Sequence, residues 1–259
     1  MKKILALLGL VSLFSLTSCN SITGVQINGE AILKERNVAV YVNKVEGENL
    51  NFGKDSKIIY HYSEEKKCVQ LSYKSGLDDY DFKYEVVDDT LKISTSSTEQ
   101  FLNANVTITI YGIFNEFNIN GNLNFEYNAS SSQSANVSLN GSINSTFYDL
   151  SEKGNYTINI NGTSNIYSKG QCDTINLTIN GRSKANLKEL VASNANIITN
   201  GSSEVSISVL NNLSYDLKDS SHLSYYGSPT INKIGQNGLA SIRKEYSKIY
   251  TEYLKDKEN

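Results

Sequence analysis

From residue 115 to 228 apolar and polar residues alternate with period two, and a recurring dipeptide punctuates the pattern: Asn120-Gly121, Asn140-Gly141, Asn161-Gly162, Asn180-Gly181 and Asn200-Gly201. The glycines at 121, 141, 162, 181 and 201 lie 20, 21, 19 and 20 residues apart. Two positions ahead of each glycine stand Ile119, Leu139, Ile160, Ile179 and Thr199; four ahead stand Phe117, Val137, Ile158, Leu177 and Ile197. Four positions after it come Phe125, Ser145, Ile166, Ala185 and Val205, and six after it Tyr127, Phe147, Ser168, Leu187 and Ile207. Such alternation marks half-buried strands, and a fixed period of about 20 residues predicts an all-β solenoid. A sixth, degenerate copy runs from Tyr215 through Leu217 to Leu223 and Tyr225, with Lys218-Asp219 where Asn-Gly is expected.

Two architectures place strands on both sides of Asn-Gly. One is a run of antiparallel hairpins, because Asn-Gly favours the type I′ turn. The other is a parallel β-helix, in which Asn-Gly bends the chain between two strands of one coil. The second explains a whole column of asparagines. Asn tolerates the left-handed backbone region, and stacked amides bond along the axis. Constant spacing favours this parallel form.

Outside the coils the pattern is less regular. Residues 36–100 predict strands at Val38–Val42, Lys57–Tyr62, Cys68–Tyr73, Asp81–Val87 and Leu91–Ser94, with a hairpin turn at Asp88-Asp89. They read as opening coils and a cap, since an open solenoid end exposes strand edges and core. Beyond Ile242, Tyr246, Ile249, Tyr250, Tyr253 and Leu254 recur at helical spacing, predicting an amphipathic helix over the 243–259 tail that covers the last coil.

The chain begins with Met1-Lys2-Lys3 and an apolar run from Ile4 to Leu16, too short to span a membrane. Leu16-Thr17-Ser18-Cys19 follows and resembles a bacterial lipobox. The expectation is a signal peptide over 1–18, lipidation of Cys19, and a tether over 19–33 leading into a domain over 34–242 with its regular coils at 115–228. Lipidation with more than one acyl chain anchors a protein stably to a membrane. Asn20 is compatible with outer-membrane sorting.

Composition narrows the partners. The net charge of −3 leaves no basic footprint for nucleic acid. Cys68 and Cys172 are far apart in sequence; an extracytoplasmic compartment permits a disulfide, and the sequence leaves their pairing open. Neither has the spacing of a zinc site.

Many β-helices cleave polysaccharide, so carboxylate pairs matter. Glycoside hydrolysis needs two carboxylates about 5–10 Å apart. The coils offer Glu126 and Glu204 on outward positions, several coils apart. Asp78, Asp79 and Asp81 form the densest acidic group and read as a solvated turn, although whether they hold calcium stays open. His61 and His222 read as outward strand residues, and no catalytic grouping, metal site or cofactor is predicted. The expected contact surface is the outward strip formed by Asn124, Asn144, Asn165, Tyr167 and Lys184, whose amides and phenol suit sugar hydroxyls.

The lipobox leader, the strand-rich opening, the Asn-Gly coils and the ending Tyr225-Tyr226-Gly227-Ser228-Pro229 with Gly235 and Gly238 resemble the head GIN domain proteins, a family of unknown function to whose name the label auto-transporter adhesin belongs. The resemblance covers residues 34–242. It implies a right-handed parallel β-helix in a lipoprotein or secreted protein. Three readings of function follow. The first is a non-catalytic binding module at the cell envelope, for glycan or envelope protein. The others are a polysaccharide lyase or hydrolase and a purely structural envelope protein.

Overall fold

The computed structural model describes residues 25–27, 31–37, 42–74, 82–95, 105–129, 134–246 and 250. The leader, Cys19, the Asp78–Asp81 turn and most of the predicted Val38–Val42 strand lie outside them. In the opening part, β1 (Val25–Ile27) and β2 (Ala31–Asn37) pair antiparallel, within and just beyond the stretch expected as a tether. Next come β3 (Lys44–Asn51), β4 (Lys57–Tyr62), β5 (Cys68–Lys74), β6 (Phe82–Val87), β7 (Thr90–Thr95) and β8 (Val106–Gly112). The expected strands at 57–62, 68–73 and 91–94 are present, and the one expected at 81–87 is present over its described part, Phe82–Val87. Asp88 and Asp89 take φ of 47° and 59°, as a type I′ hairpin turn requires, and they join β6 to β7 antiparallel.

The opening coil sits where its place in the chain does not predict. Together β3 and β4 form one coil. On one side β3 runs parallel to β7 and β4 parallel to β8. On the other side both run parallel to β9 (Glu116–Asn128). The coil earliest in sequence is thus held between two later ones, and residues 113–115 cross over it. The Tyr60 hydroxyl secures this crossing: it donates to the Gly112 carbonyl at 3.0 Å and accepts from the Phe114 amide at 3.2 Å. Beyond β8, β5 and then β2 pair antiparallel and extend that end.

The regular coils follow as β9, β10 (Ala135–Leu150), β11 (Asn155–Gly162), β12 (Asn165–Gly181), β13 (Lys184–Gly201) and β14 (Glu204–Leu217). Neighbouring coils pair parallel, which settles the choice between hairpins and a β-solenoid of about six turns. Each Asn-Gly pairs with the next through the whole run from 120–121 to 200–201. The inward residues of the five Asn-Gly repeats are all buried, including Ser145, Ser168 and Thr199, while Tyr225 of the sixth copy is half-buried.

The glycine column has a steric cause. Gly162 takes φ of 133°, and a Cβ there would overlap the carbonyl oxygen of Gly141 in the coil below. A seam of serines two positions after the glycine completes the bend. Ser183, Ser203 and Ser221 are buried and donate to the carbonyls of Gly162, Gly181 and Gly201 at 3.3, 3.2 and 3.0 Å. The Ile143 and Ser164 amides in turn donate to the Oγ atoms of Ser164 and Ser183.

The asparagines form a ladder. Nδ2 of Asn161 donates to Oδ1 of Asn140 at 2.7 Å, Asn180 to Asn161 at 2.8 Å and Asn200 to Asn180 at 2.6 Å. At the first rung Asn140 reaches diagonally to Asn118, at 3.2 Å, instead of to Asn120. Asn161→Ala removes two rungs from a solvent-exposed ladder. We expect it to cost about 1 kcal/mol in urea unfolding; a loss no greater than that of an outward Ser→Ala control would show that the rungs carry no stability.

The solenoid closes with β15 (His222–Gly227), β16 (Thr230–Gln236) and β17 (Ser241–Glu245). Asp219 stands in the glycine column with φ of 58°, a conformation Asp tolerates, so the bend survives without Asn-Gly. One coil later Asn237-Gly238 restores the dipeptide, and Leu239 N bonds Asp219 O at 2.6 Å. In this last coil, Lys233 and Lys244 pair with Tyr215 and Tyr225, in columns that are apolar below. Charge placed in an inward column blunts an edge against further stacking. The predicted capping helix is not shown. Most of that segment lies outside the described residues, and Tyr246, expected on its apolar face, is 94% exposed.

Candidate functional site

The strand after each glycine presents the strip expected as a contact surface. Register puts Asn124 beside Asn144, and Asn165 beside Lys184, all outward on one face. Much of the strip's bonding capacity is already used along the axis. Asn144 donates to Asn124 at 3.4 Å and Asn165 to Asn144 at 3.0 Å, while Asn124 donates to the Lys54 and Ser56 carbonyls. The column continues as a Lys184–Glu204 ion pair at 2.9 Å. Hydrogen bonding and attraction from Lys184 hold the Glu204 carboxyl below its usual range. Both side chains are more than 60% exposed, so the pair adds little stability. His222 Nδ1 lies 2.7 Å from Ser241 Oγ.

Sequence reasoning missed a second feature of this face. The parallel ladder shifts register between Phe147 and Leu150, between Tyr167 and Lys169, and between Leu187 and Val191. These are equivalent places in three successive coils. Around them Lys169 Nζ lies 5.7 Å from the Tyr148 ring centroid, and the Tyr167 hydroxyl donates to Glu189 at 2.7 Å. That bond to a carboxylate, with burial, pushes the Tyr167 phenol up to about 12. The only trace in the sequence is the loss of strict alternation after the sixth position.

The strand before each glycine builds a different face. Three outward columns read Asn136, Thr157, Asn176, Asn196; Asn118, Ser138, Asn159, Thr178, Ile198; and the Asn120–Asn200 ladder. None of these residues is charged. The first column also forms rungs, Asn176 to Thr157 at 3.5 Å and Asn196 to Asn176 at 3.4 Å, and farther out Asn212 donates to Asn194 at 2.8 Å. Over these strands, from coil 116–121 to coil 194–201, the register has no shift. Along these three columns charge returns at the ends, as Glu116 beside Lys44 and as the Lys218–Asp216 pair, and at the lateral borders of the face stand Asp173 and the exposed Arg182.

The carboxylates weighed for hydrolysis have basic partners. Glu126 pairs with Lys57 at 3.1 Å and Glu204 with Lys184 at 2.9 Å. His61 stacks on Tyr111 with centroids 5.2 Å apart, and burial lowers its pKa. Cys68 and Cys172 are buried and unpaired with each other, and burial pushes the Cys172 thiol up to about 12. Among the described residues no three His, Cys, Asp or Glu side chains gather as metal ligands.

Comparison with known proteins agrees with this architecture. The family described as "Putative auto-transporter adhesin, head GIN domain" matches residues 48–229. No curated protein matches the chain. Among solved structures, a putative adhesin from Bacteroides fragilis is similar with a TM-score of 0.67 at 18% identity, covering 86% of this chain and 100% of that one. A putative adhesin from Parabacteroides merdae has a TM-score of 0.54 at 14% identity, covering 85% and 98%. A protein from Parabacteroides distasonis, described as a putative lipid binding protein, has a TM-score of 0.52 at 19% identity, covering 84% and 98%. At these identities the likeness speaks for the fold.

Proposed function

Because the chain belongs to the auto-transporter adhesin, head GIN domain family, we propose that it is a non-catalytic binding module of the cell envelope, held to the membrane through lipidated Cys19. The observation that carries the binding reading is a rigid solenoid whose flat outward faces are made of side chains already fixed by bonds to their neighbours. Surfaces ordered in advance lose little entropy on binding. Glu126 and Glu204, the coil carboxylates weighed for hydrolysis, each pair with a lysine. Similar structures described as adhesins, and one described as lipid binding, fit a binding role. The ligand class that suits these polar faces is glycan or envelope protein.

Two experiments test this reading. Cys19→Ser should move the protein from the membrane fraction to the soluble fraction, because no acyl chain can attach. An unmodified Cys19 in the mature wild-type protein, seen by mass spectrometry, would refute the anchor. For the binding role, the leaderless protein is used in pull-downs from envelope extracts and host-surface glycans. If the strip after the glycines makes the contact, Asn124→Ala, Asn144→Ala and Tyr167→Ala together should weaken capture at least tenfold with folding intact. Turnover of a polysaccharide substrate, abolished by one carboxylate change, would overturn the non-catalytic reading.

A further inference from the structure

We propose that the asparagine-rich face ahead of the glycine column is the contact surface for an extended, uncharged polysaccharide. This rests on the binding-module reading and narrows it to one face and one ligand class.

Charge is the first argument. A fifth of the chain's residues are charged, yet the outward columns running from Asn136 to Asn200 on this face carry none. The other face of the same coils carries Lys169, Lys184 and Glu189, and Lys184 pairs with Glu204 of the next coil. Solubility alone favours interspersed Lys and Glu on both faces, so solvation does not explain why only one is charge-free. A surface with no ions offers nothing to a polyanion or polycation, and its amides cost less to desolvate than ions do. The complementary partner is therefore itself uncharged.

Hydrogen bonding is the second. An amide side chain has two N–H donors and an oxygen with two lone pairs. In the ladder, Asn161 spends one donor on Asn140 and one lone pair on Asn180. One donor and one acceptor site remain for a ligand, and the rung fixes the rotamer in advance. The pattern repeats at about 4.8 Å between coils and about 6.8 Å between columns along a strand. Single neutral hydrogen bonds add little, so a useful ligand must meet many at once. A chain of hydroxyl-bearing units does that.

Composition separates this partner from others. Protein interfaces centre on aromatic and Arg anchors, and the outward columns from Asn136 to Asn200 contain neither. A lipid surface calls for exposed apolar area or basic side chains. Here Ile198 is the sole large apolar residue, enough for contact with the C–H face of a sugar ring.

The test uses the mature full-length protein and immobilised cellulose, β-1,3-glucan, mannan and dextran, with alginate and heparin as charged counterparts. We expect retention on at least one neutral polymer, unchanged between 50 and about 500 mM salt, since no screened charges are involved. Ser138→Lys with Thr178→Lys should reduce that retention at least tenfold. Neither side chain forms a ladder rung among the described residues, so the fold should persist, as circular dichroism and melting would show. If the pair unfolds, Asn159→Lys alone serves as the second variant. Retention that survives the lysines but is lost with the Asn124, Asn144 and Tyr167 alanines would overturn this face and leave the binding-module reading standing. Binding only to alginate or heparin, or to none of the polymers, would overturn the ligand class; capture of an envelope protein in the pull-down would then still support a binding module.

Discussion

Gly162→Val should cost about 4 kcal/mol or more and leave little folded protein at 37 °C. Two costs add. A β-branched residue held at φ of 133° is strained by about 1–3 kcal/mol. Its Cβ also collides with the Gly141 carbonyl oxygen in the coil below. That carbonyl cannot swing aside cheaply, since it accepts from the Thr163 amide at 3.0 Å, and the Gly162 carbonyl accepts from Arg182 at 3.0 Å. Moving one coil therefore breaks bonds to two others. Gly47→Ala is the contrast: its new methyl meets the tip of the Leu50 side chain at 2.6 Å, which can rotate, so about 1–2 kcal/mol is expected. Urea midpoints read at constant m-value decide. If the two variants fall within 1 kcal/mol of each other, backbone stacking at the glycine column is not what fixes the bend.

Phe117→Ala should cost about 3–5 kcal/mol. The ring is 1% exposed and lies at the junction between the interleaved coil and the regular ones. Its centroid is 4.8 Å from Tyr60, 5.6 Å from Phe125, 5.6 Å from Tyr127 and 6.4 Å from Phe114. These neighbours come from the coil below, from the same coil and from the crossing segment. Removing the ring opens a cavity that rigid stacked strands cannot close, and it loosens the Tyr60 ring whose hydroxyl holds the crossing. Phe117→Leu, which keeps much of the volume, should lose about 1–1.5 kcal/mol. An alanine variant as stable as the leucine variant would mean that the cluster collapses freely.

The repeat was legible because stacking forces equal residues into equal places. Gly162 must be glycine whatever its neighbours are, so its column is visible in one sequence. Asn161 and Asn180 gain only beside their own kind, so they recur. The interleaved coil was not legible. In β3 and β4 no Asn-Gly marks the bend, and Leu50 pairs with Gly121. Which coil lies above it is set by a crossing some 50 residues later, and no local pattern encodes that. The register shifts that gather Tyr148, Lys169 and Glu189 escape for a similar reason: a bulge changes where a side chain points without changing residue type. Alternation in the sequence suffices to put Asn124, Asn144 and Asn165 on one outward face, as the register does. The rungs within this strip follow from the same stacking that builds the Asn-Gly column, because equal amides one coil apart come within bonding reach.

The coil held between two later ones makes the two ends of this rod mechanically unequal. At the C-terminal end β16 and β17 each pair with one strand among the described residues, so a pull there can strip one coil and leave the rest in place. At the other end β1 and β2, bonded only to each other and to β5, come away first; freeing β3 and β4 then means parting them from β7 and β8 on one side and from β9 on the other. Under tension the molecule behaves like a cord with a knot at one end: it can unravel stepwise from its C-terminal end, while the interleaved coil yields only when several coils give way together.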